Sequence, residues 1–274
     1  MGSVKPMLNT PSSGVSLSLT GRVALITGGS RGIGAATVRL FRQADARVAF
    51  SYQTAREKAE ALATELGGPG FCIALQQDLA TPADGRVLVA AATAAFGRLD
   101  CLIVNHGVWP AHDQPIATMS DAQWRSTLSI NLDSVFGLVQ AATVQILSQP
   151  APPTGPRGHI VLVASTAAQR GEAFHADYAA SKGALLSFTK SLSSELAPQG
   201  ISANCVAPGW VATEMSAAAL KDPETSRKAM SLIPLGRAAH TDEIAGPILF
   251  LCTPWAGFIS GEIFNVNGGA VLVG

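Results

Sequence analysis

Charge is scarce in this chain of 274 residues. Asp, Glu, Lys and Arg make up only 14% of it, and 19 basic residues balance 19 acidic ones at a formal net charge of zero. Nucleic-acid binders carry a basic patch or stripe, so this balance argues against a nucleic-acid partner. Cysteine is scarce too. Cys72, Cys101, Cys205 and Cys252 are scattered through apolar stretches, with no CxxC pair and no His at ligand spacing. They read as buried thiols rather than disulfides or metal ligands, which leaves no metal site to assign and suits a reducing, cytoplasmic location. No window approaches ~18 uninterrupted apolar residues, so neither a transmembrane helix nor a membrane partner is expected. Residues 1–19 lack the apolar core of a secretion signal and read as a mobile tail. Disorder over the rest is excluded, because 47% of the chain is apolar and can supply a core. So little surface charge also makes self-association plausible.

What remains, from residue 20 to 274, reads as one domain. Short β-prone runs alternate with helical stretches: Arg22 to Thr27, Val48 to Tyr52, Phe71 to Leu75, Leu102 to Val104, Ile160 to Val163, Ile201 to Val206 and Ile263 to Val266. The runs are apolar without period-two alternation, as strands covered on both faces are. Helical segments such as Ala55–Leu66 and Ala83–Phe96 lie between them. This rhythm predicts an α/β fold of Rossmann type: a doubly wound, seven-stranded parallel sheet with helices on both faces. The Pro/Gly-rich stretch from Pro150 to Gly158 reads as a surface turn before the fifth strand rather than a domain boundary.

The first strand runs into Thr27-Gly28-Gly29-Ser30-Arg31-Gly32-Ile33-Gly34, and a helix follows. Glycines at 28, 32 and 34 permit a tight turn and close approach of a ligand to the backbone. The helix N-terminus offers free N–H groups and a partial positive charge to a pyrophosphate. Strand before and helix after make this a dinucleotide-binding turn, although its spacing is GxxxGxG. An acidic residue at the end of the second strand would hold a ribose 2′-hydroxyl and repel a 2′-phosphate. Here that end reads Ser51-Tyr52-Gln53-Thr54, and Arg31 stands in the glycine turn, so NADP(H) is favoured over NAD(H). Arg31 is otherwise an ordinary solvent-facing turn residue, and Arg56 is a second phosphate partner or a residue facing water.

Tyr178 and Lys182 are one helical turn apart, on one face of a helix that continues with apolar spacing through Leu196. A tyrosine has a reference pKa of ~10, and a neighbouring ammonium is expected to lower it toward the working range. A surface pair would show the same spacing.

TGGSRGIG, Tyr-x-x-x-Lys, Pro208-Gly209 and the closing Val266-Asn267-Gly268-Gly269 occur in an order and spacing that resembles the short-chain dehydrogenase/reductase family over residues 20–274. The resemblance implies hydride transfer between a nicotinamide and a substrate carbon, with Tyr178 as acid/base, interconverting a carbonyl and a secondary alcohol without a metal. It places the family Ser at Ser165, where its hydroxyl would steady charge on the substrate oxygen. It places the family Asn at Asn131; Asn is a poor interior helix residue, so a local kink with a freed carbonyl is expected there. It gives Lys182 a second role on the nicotinamide ribose.

Further cofactor contacts carry over one by one. Asp78-Leu79 resembles the pair at the adenine. Asn105 and Gly107 match the turn after the fourth strand, but Val104 and His106 depart from Asn-Asn-Ala-Gly. Val104 removes one structural amide, and His106 is either a shaper of substrate binding or a satisfied structural histidine. Pro208, Gly209, the Val211 backbone and the Thr213 hydroxyl resemble the clasp on the carboxamide. Residues 213–232 fall where the family has a substrate lid, and Trp109, Phe174, His175 and Trp210 flank the expected pocket. The resemblance is to 3-oxoacyl-acyl-carrier-protein reductases and glucose-type dehydrogenases. The first subgroup docks its acidic carrier on basic residues near Pro156 and Gln199, neither of which is basic here. Two other readings stay open: an NAD-linked sugar or polyol dehydrogenase, and a non-catalytic dinucleotide sensor. The resemblance also implies a homotetramer or dimer, with the helices of Trp124–Val139 and Tyr178–Ala197 as its faces.

Overall fold

A computed structural model describes residues 16–153 and 155–272. The strands are β1 (Val23–Ile26), β2 (Arg47–Tyr52), β3 (Cys72–Gln76), β4 (Cys101–Val104), β5 (Gly158–Val163), β6 (Ile201–Pro208) and β7 (Ile263–Val266). All pair in parallel, in the order β3-β2-β1-β4-β5-β6-β7. The expected seven-stranded doubly wound sheet is therefore present, with the order reversing between β1 and β4. Ligands bind at such a reversal, outside the carboxyl ends of the strands.

Helices cover both faces, which is why the strands are apolar throughout. Ala24 and Ile26 of β1 point to one layer, with Val38 and Phe41 of α1 (Gly32–Gln43) and Ile244 and Ile248 of α10 (Thr241–Leu251). Val23 and Leu25 point to the other, with Leu88 of α3 (Pro82–Phe96), Leu138 of α5 (Ser134–Ser148) and Leu185 of α7 (Ala176–Leu196). The remaining helices are α2 (Arg56–Glu65), α4 (Asp121–Leu128), α6 (Ala167–Arg170), α8 (Ala217–Lys221) and α9 (Pro223–Ser231). All four cysteines are buried and unpaired.

Helices α4 and α5 join through one π-helical turn, Ser129–Asp133, with Asn131 at its middle. The kink expected from an interior Asn is this insertion, a feature common at functional sites. The joined helix Asp121–Ser148 spans 28 residues at a mean hydropathy of 1.3 in its most apolar window, enough to cross a membrane by length and composition alone. It instead packs against α3 and α7. Residues 1–15 of the expected tail lie outside the described residues. Its last part is not free: Leu19 is buried, and its N–H donates to the Ala44 carbonyl at 2.7 Å, so the packed unit starts before residue 20.

Candidate active site

A cleft of about 370 Å³ opens at the carboxyl ends of β1, β2, β4, β5 and β6. Its floor is the glycine turn between β1 and α1. Gly28 has φ +65°, and a Cβ on Gly34 would stand 2.0 Å from the Gly28 carbonyl oxygen, so the turn closes only without side chains. Arg31 caps α1 with no side-chain hydrogen bond, leaving the first-turn N–H groups of Gly32 and Ile33 free to face a ligand in the cleft. The turn is fastened from β2: Ser51 Oγ accepts from the Gly28 N–H at 3.1 Å. The free N–H groups of this turn, facing the cleft without a side chain between them, fit the pyrophosphate of a dinucleotide.

Most of the expected cofactor residues line the same cleft: Gly28, Ser30, Arg31, Gly32, Ile33, Gln53, Asp78, Leu79, Asn105, His106, Gly107, Pro208, Gly209, Val211 and Thr213. Ser51 and Tyr52 reach it too, but their side chains are buried, so they shape the wall. Gly34 stands behind the turn, outside the lining. Gln53 donates to the Asp78 carboxylate at 2.8 Å and so presents an amide, not an acid, at the end of β2. Arg56 does not join them; it turns to Gln76 at 2.8 Å and Glu60 at 3.5 Å. Lys58, also outside the lining, approaches the lining residue Glu214. Its Nζ lies 2.7 Å from one oxygen of Glu214, whose other oxygen is 3.8 Å from Arg31 Nε. Neither Lys58 nor Glu214 carried a sequence signal, because the contact joins α2 to the loop after β6.

Ser165, Tyr178 and Lys182 meet at the inner end of the cleft. Lys182 Nζ donates to the Val163 carbonyl at 2.9 Å, and the ammonium is 6.0 Å from the Tyr178 ring centroid. A Cβ on Gly107 would stand 3.1 Å from both Lys182 Nζ and Asn131 Oδ1, so this glycine keeps that space clear. Asn131 is buried behind it. Its amide donates to the Val108 carbonyl and Ser181 Oγ, each at 3.0 Å, and its oxygen accepts the Val108 N–H at 2.8 Å.

The expected lowering of the Tyr178 pKa does not occur in this arrangement. Burial pushes the phenol up to about 12; its hydrogen bond with Ser165 pulls it back, and the Glu172 carboxylate pushes it further up. The partner lysine is desolvated as well, and burial brings it down to about 8. Two groups that both lose water are driven toward their neutral forms, and desolvation is the largest cause of each shift.

His106 is the structural histidine of the two alternatives. Nδ1 bonds Thr27 Oγ1 and Nε2 bonds Ser134 Oγ, each at 2.8 Å, with the Ile130 carbonyl at 3.2 Å from Nε2. It ties β1 to the π turn across the position where Val104 supplies no amide. Burial holds its pKa near 3, so it stays neutral.

Aromatic groups form the outer wall. Trp109 stacks on His175 at 4.8 Å and meets Trp210 edge-to-face at 6.5 Å. Its Nε1 donates to Glu172 at 3.2 Å. Phe174, at φ +66°, bends the loop so that residues on either side of it both reach Trp109.

Residues 28–271 match the family model described as enoyl-(acyl carrier protein) reductase. The 3-oxoacyl-[acyl-carrier-protein] reductase of Synechocystis is 34% identical over 257 residues, covering 93% of this chain and 99% of that protein. The crystal structure of a short-chain dehydrogenase/reductase described as a glucose/ribitol dehydrogenase, from Brucella melitensis, superposes with a TM-score of 0.85 at 36% identity, covering 94% of this chain and all of that one. A short-chain dehydrogenase from Burkholderia cenocepacia, solved in complex with NADP, gives 0.83 at 33% identity over 92% of this chain and 98% of that one.

Proposed function

This chain belongs to the short-chain dehydrogenase/reductase family, and from that premise we propose that it is an NADP(H)-dependent oxidoreductase interconverting a carbonyl and a secondary alcohol. The observation that carries the reading is one cleft holding both a glycine cradle for a dinucleotide and the Ser165–Tyr178–Lys182 group. When bound, the reduced dinucleotide supplies the hydride that the carbonyl carbon accepts. Ser165 Oγ hydrogen-bonds the carbonyl oxygen and holds the developing negative charge. Tyr178 Oη gives that oxygen its proton, and the raised pKa keeps the phenol protonated at neutral pH, the form that reduction needs. Lys182 and Asn131 sit on the inner side, placed to return a proton toward Tyr178 around Gly107.

Three features support NADP(H) over NAD(H): no carboxylate at the end of β2, and two cations, Arg31 and Lys58, converging on a point where the Glu214 carboxylate now sits. A 2′-phosphate would take the place of that carboxylate. The substrates named for the relatives differ, so none is transferred here. Described residues 16–153 and 155–272 belong to the catalytic unit, working in the cytoplasm, where four buried free thiols persist, as a homotetramer or dimer. The test is dinucleotide binding by calorimetry. Arg31→Ala and Lys58→Ala should each weaken NADPH by about tenfold and leave NADH unchanged. Equal binding of the two dinucleotides by the wild type would overturn the NADP(H) assignment. Absence of binding to either would overturn the enzyme reading.

A further inference from the structure

The outer end of the cleft contains a carboxylate that the chemistry just described does not use. Glu172 lies on the loop between α6 and α7, lines the cleft, and is half-buried. One of its oxygens accepts from Trp109 Nε1 at 3.2 Å; among the described residues the other has no hydrogen-bond partner, and Glu172 forms no ion pair. It lines the same cleft as Ser165 and Tyr178. The other cleft cations do not neutralise it. Arg170 is exposed to solvent at the end of α6, and Lys182 donates to the Val163 carbonyl.

The carboxylate meets the N–H edge of Trp109, and Trp210 lines the same cleft. Trp109 and Trp210 meet at 78°, which makes a corner rather than a flat wall. Trp109 is held rigidly: it stacks on His175, and His175 Nε2 is itself bonded to the Pro110 carbonyl at 2.8 Å. An aromatic corner with an unneutralised carboxylate attracts a cation and repels an anion, through ring quadrupoles and direct charge.

We propose that Glu172 and the Trp109–Trp210 corner form a cation subsite, and that the substrate carries an ammonium group next to the carbon that exchanges hydride. The inference rests on the oxidoreductase reading and names its substrate class: amino ketones and the corresponding amino alcohols. It also explains why a carboxylate-bearing or phosphate-bearing carbonyl compound would be a poor substrate, since its anion would face Glu172.

The test uses three ketones of matched size whose side group is tert-butyl, trimethylammonium or carboxylate. Each is assayed by NADPH consumption with the wild type and with Glu172→Gln, which keeps an oxygen for Trp109 to donate to. Binding of phenyltrimethylammonium is measured in parallel by calorimetry. The wild type should prefer the ammonium ketone to its neutral match by about tenfold or more in kcat/KM, with the carboxylate ketone last. Glu172→Gln should erase that order, bringing the ratio of kcat/KM for the ammonium ketone to that for its neutral match to about one, and weaken phenyltrimethylammonium by a similar factor. Equal kcat/KM for the three ketones, or an ammonium preference that survives Glu172→Gln, overturns the subsite and leaves the reductase reading intact. Glu172-dependent cation binding with no turnover of any ketone does the reverse.

Discussion

At the amino ends of β1 and β4, Asp100 is fully buried, and both carboxylate oxygens are occupied. One is 2.7 Å from Arg98 and 3.3 Å from Arg22; the other accepts from Arg98 at 2.9 Å and from the Val23 N–H at 2.8 Å. At the carboxyl ends of the same strands, among the described residues, Glu172 has one oxygen without a hydrogen-bond partner and Lys182 bonds a single carbonyl. The two edges hold similar groups, yet only one edge satisfies them. A buried charge persists in a fold when it is fully bonded, and a charge left partly bonded at a cleft has work to do on something that arrives there.

The sharpest way to break this comparison is to remove a group at each edge. Tyr178→Phe at the cleft should lower kcat/KM by about 10²–10⁴-fold, the range for losing a positioned acid, with an unchanged melting temperature. Retained activity would show that the incompletely bonded edge is not where chemistry occurs. Asp100→Asn at the opposite edge should act on stability instead. It should cost about 3 kcal/mol in urea unfolding, because Arg22 and Arg98 lose their buried partner, and leave kcat of the folded enzyme unchanged. An unaltered unfolding midpoint would mean that the satisfied network contributes nothing.

A smaller effect separates the edges by pH. His159, at the start of β5, bonds Ser202 Oγ at 2.8 Å, and burial holds its pKa near 4; Arg22 lowers it and Asp100 opposes. His106 at the other edge is held near 3. Both values lie below the unfolded reference of ~6.5. The unfolded chain therefore binds more protons between those values, and stability falls as pH drops from about 6.5. Each histidine contributes a slope of about 1.4 kcal/mol per pH unit. His159→Gln should remove one proton from the slope of unfolding free energy against pH, leaving the His106 share. An identical slope in the variant would show that His159 is charged in the folded protein.

The fold was legible because parallel strands covered on both faces leave long apolar runs, and all seven runs became strands. The glycine turn and the Tyr178–Lys182 spacing were legible for a similar reason: each is a local constraint written within a few residues. A kink at Asn131 could be anticipated, since Asn is out of place in a helix, but not that it takes the form of a π turn. What could not be read was set by contacts between distant segments. Lys58 meets Glu214 across 156 positions, and Trp109 meets Glu172 across 63. Arg56 was the more conspicuous cation in sequence, but its place on α2 turns it toward Gln76. The pKa of Tyr178 was misjudged for the same reason: spacing reveals a neighbouring ammonium but not how much water both groups lose.

The smallest expected effect concerns that phenol directly. The chain has two tyrosines, Tyr52 and Tyr178, so tyrosinate absorbance measured as a difference from Tyr178→Phe isolates the catalytic one. Burial places its ionisation near 12, above the free value of ~10, so the difference signal should remain small at pH 10. Glu172 adds to this, because its negative charge opposes formation of a second one nearby. In Glu172→Gln the ionisation should begin at lower pH, by a fraction of a pH unit, since the larger cause is burial and the substitution leaves that in place. No shift would mean that solvent screens Glu172 from Tyr178. The cleft edge would then be divided into two electrostatically independent parts, with the aromatic corner acting on substrate alone.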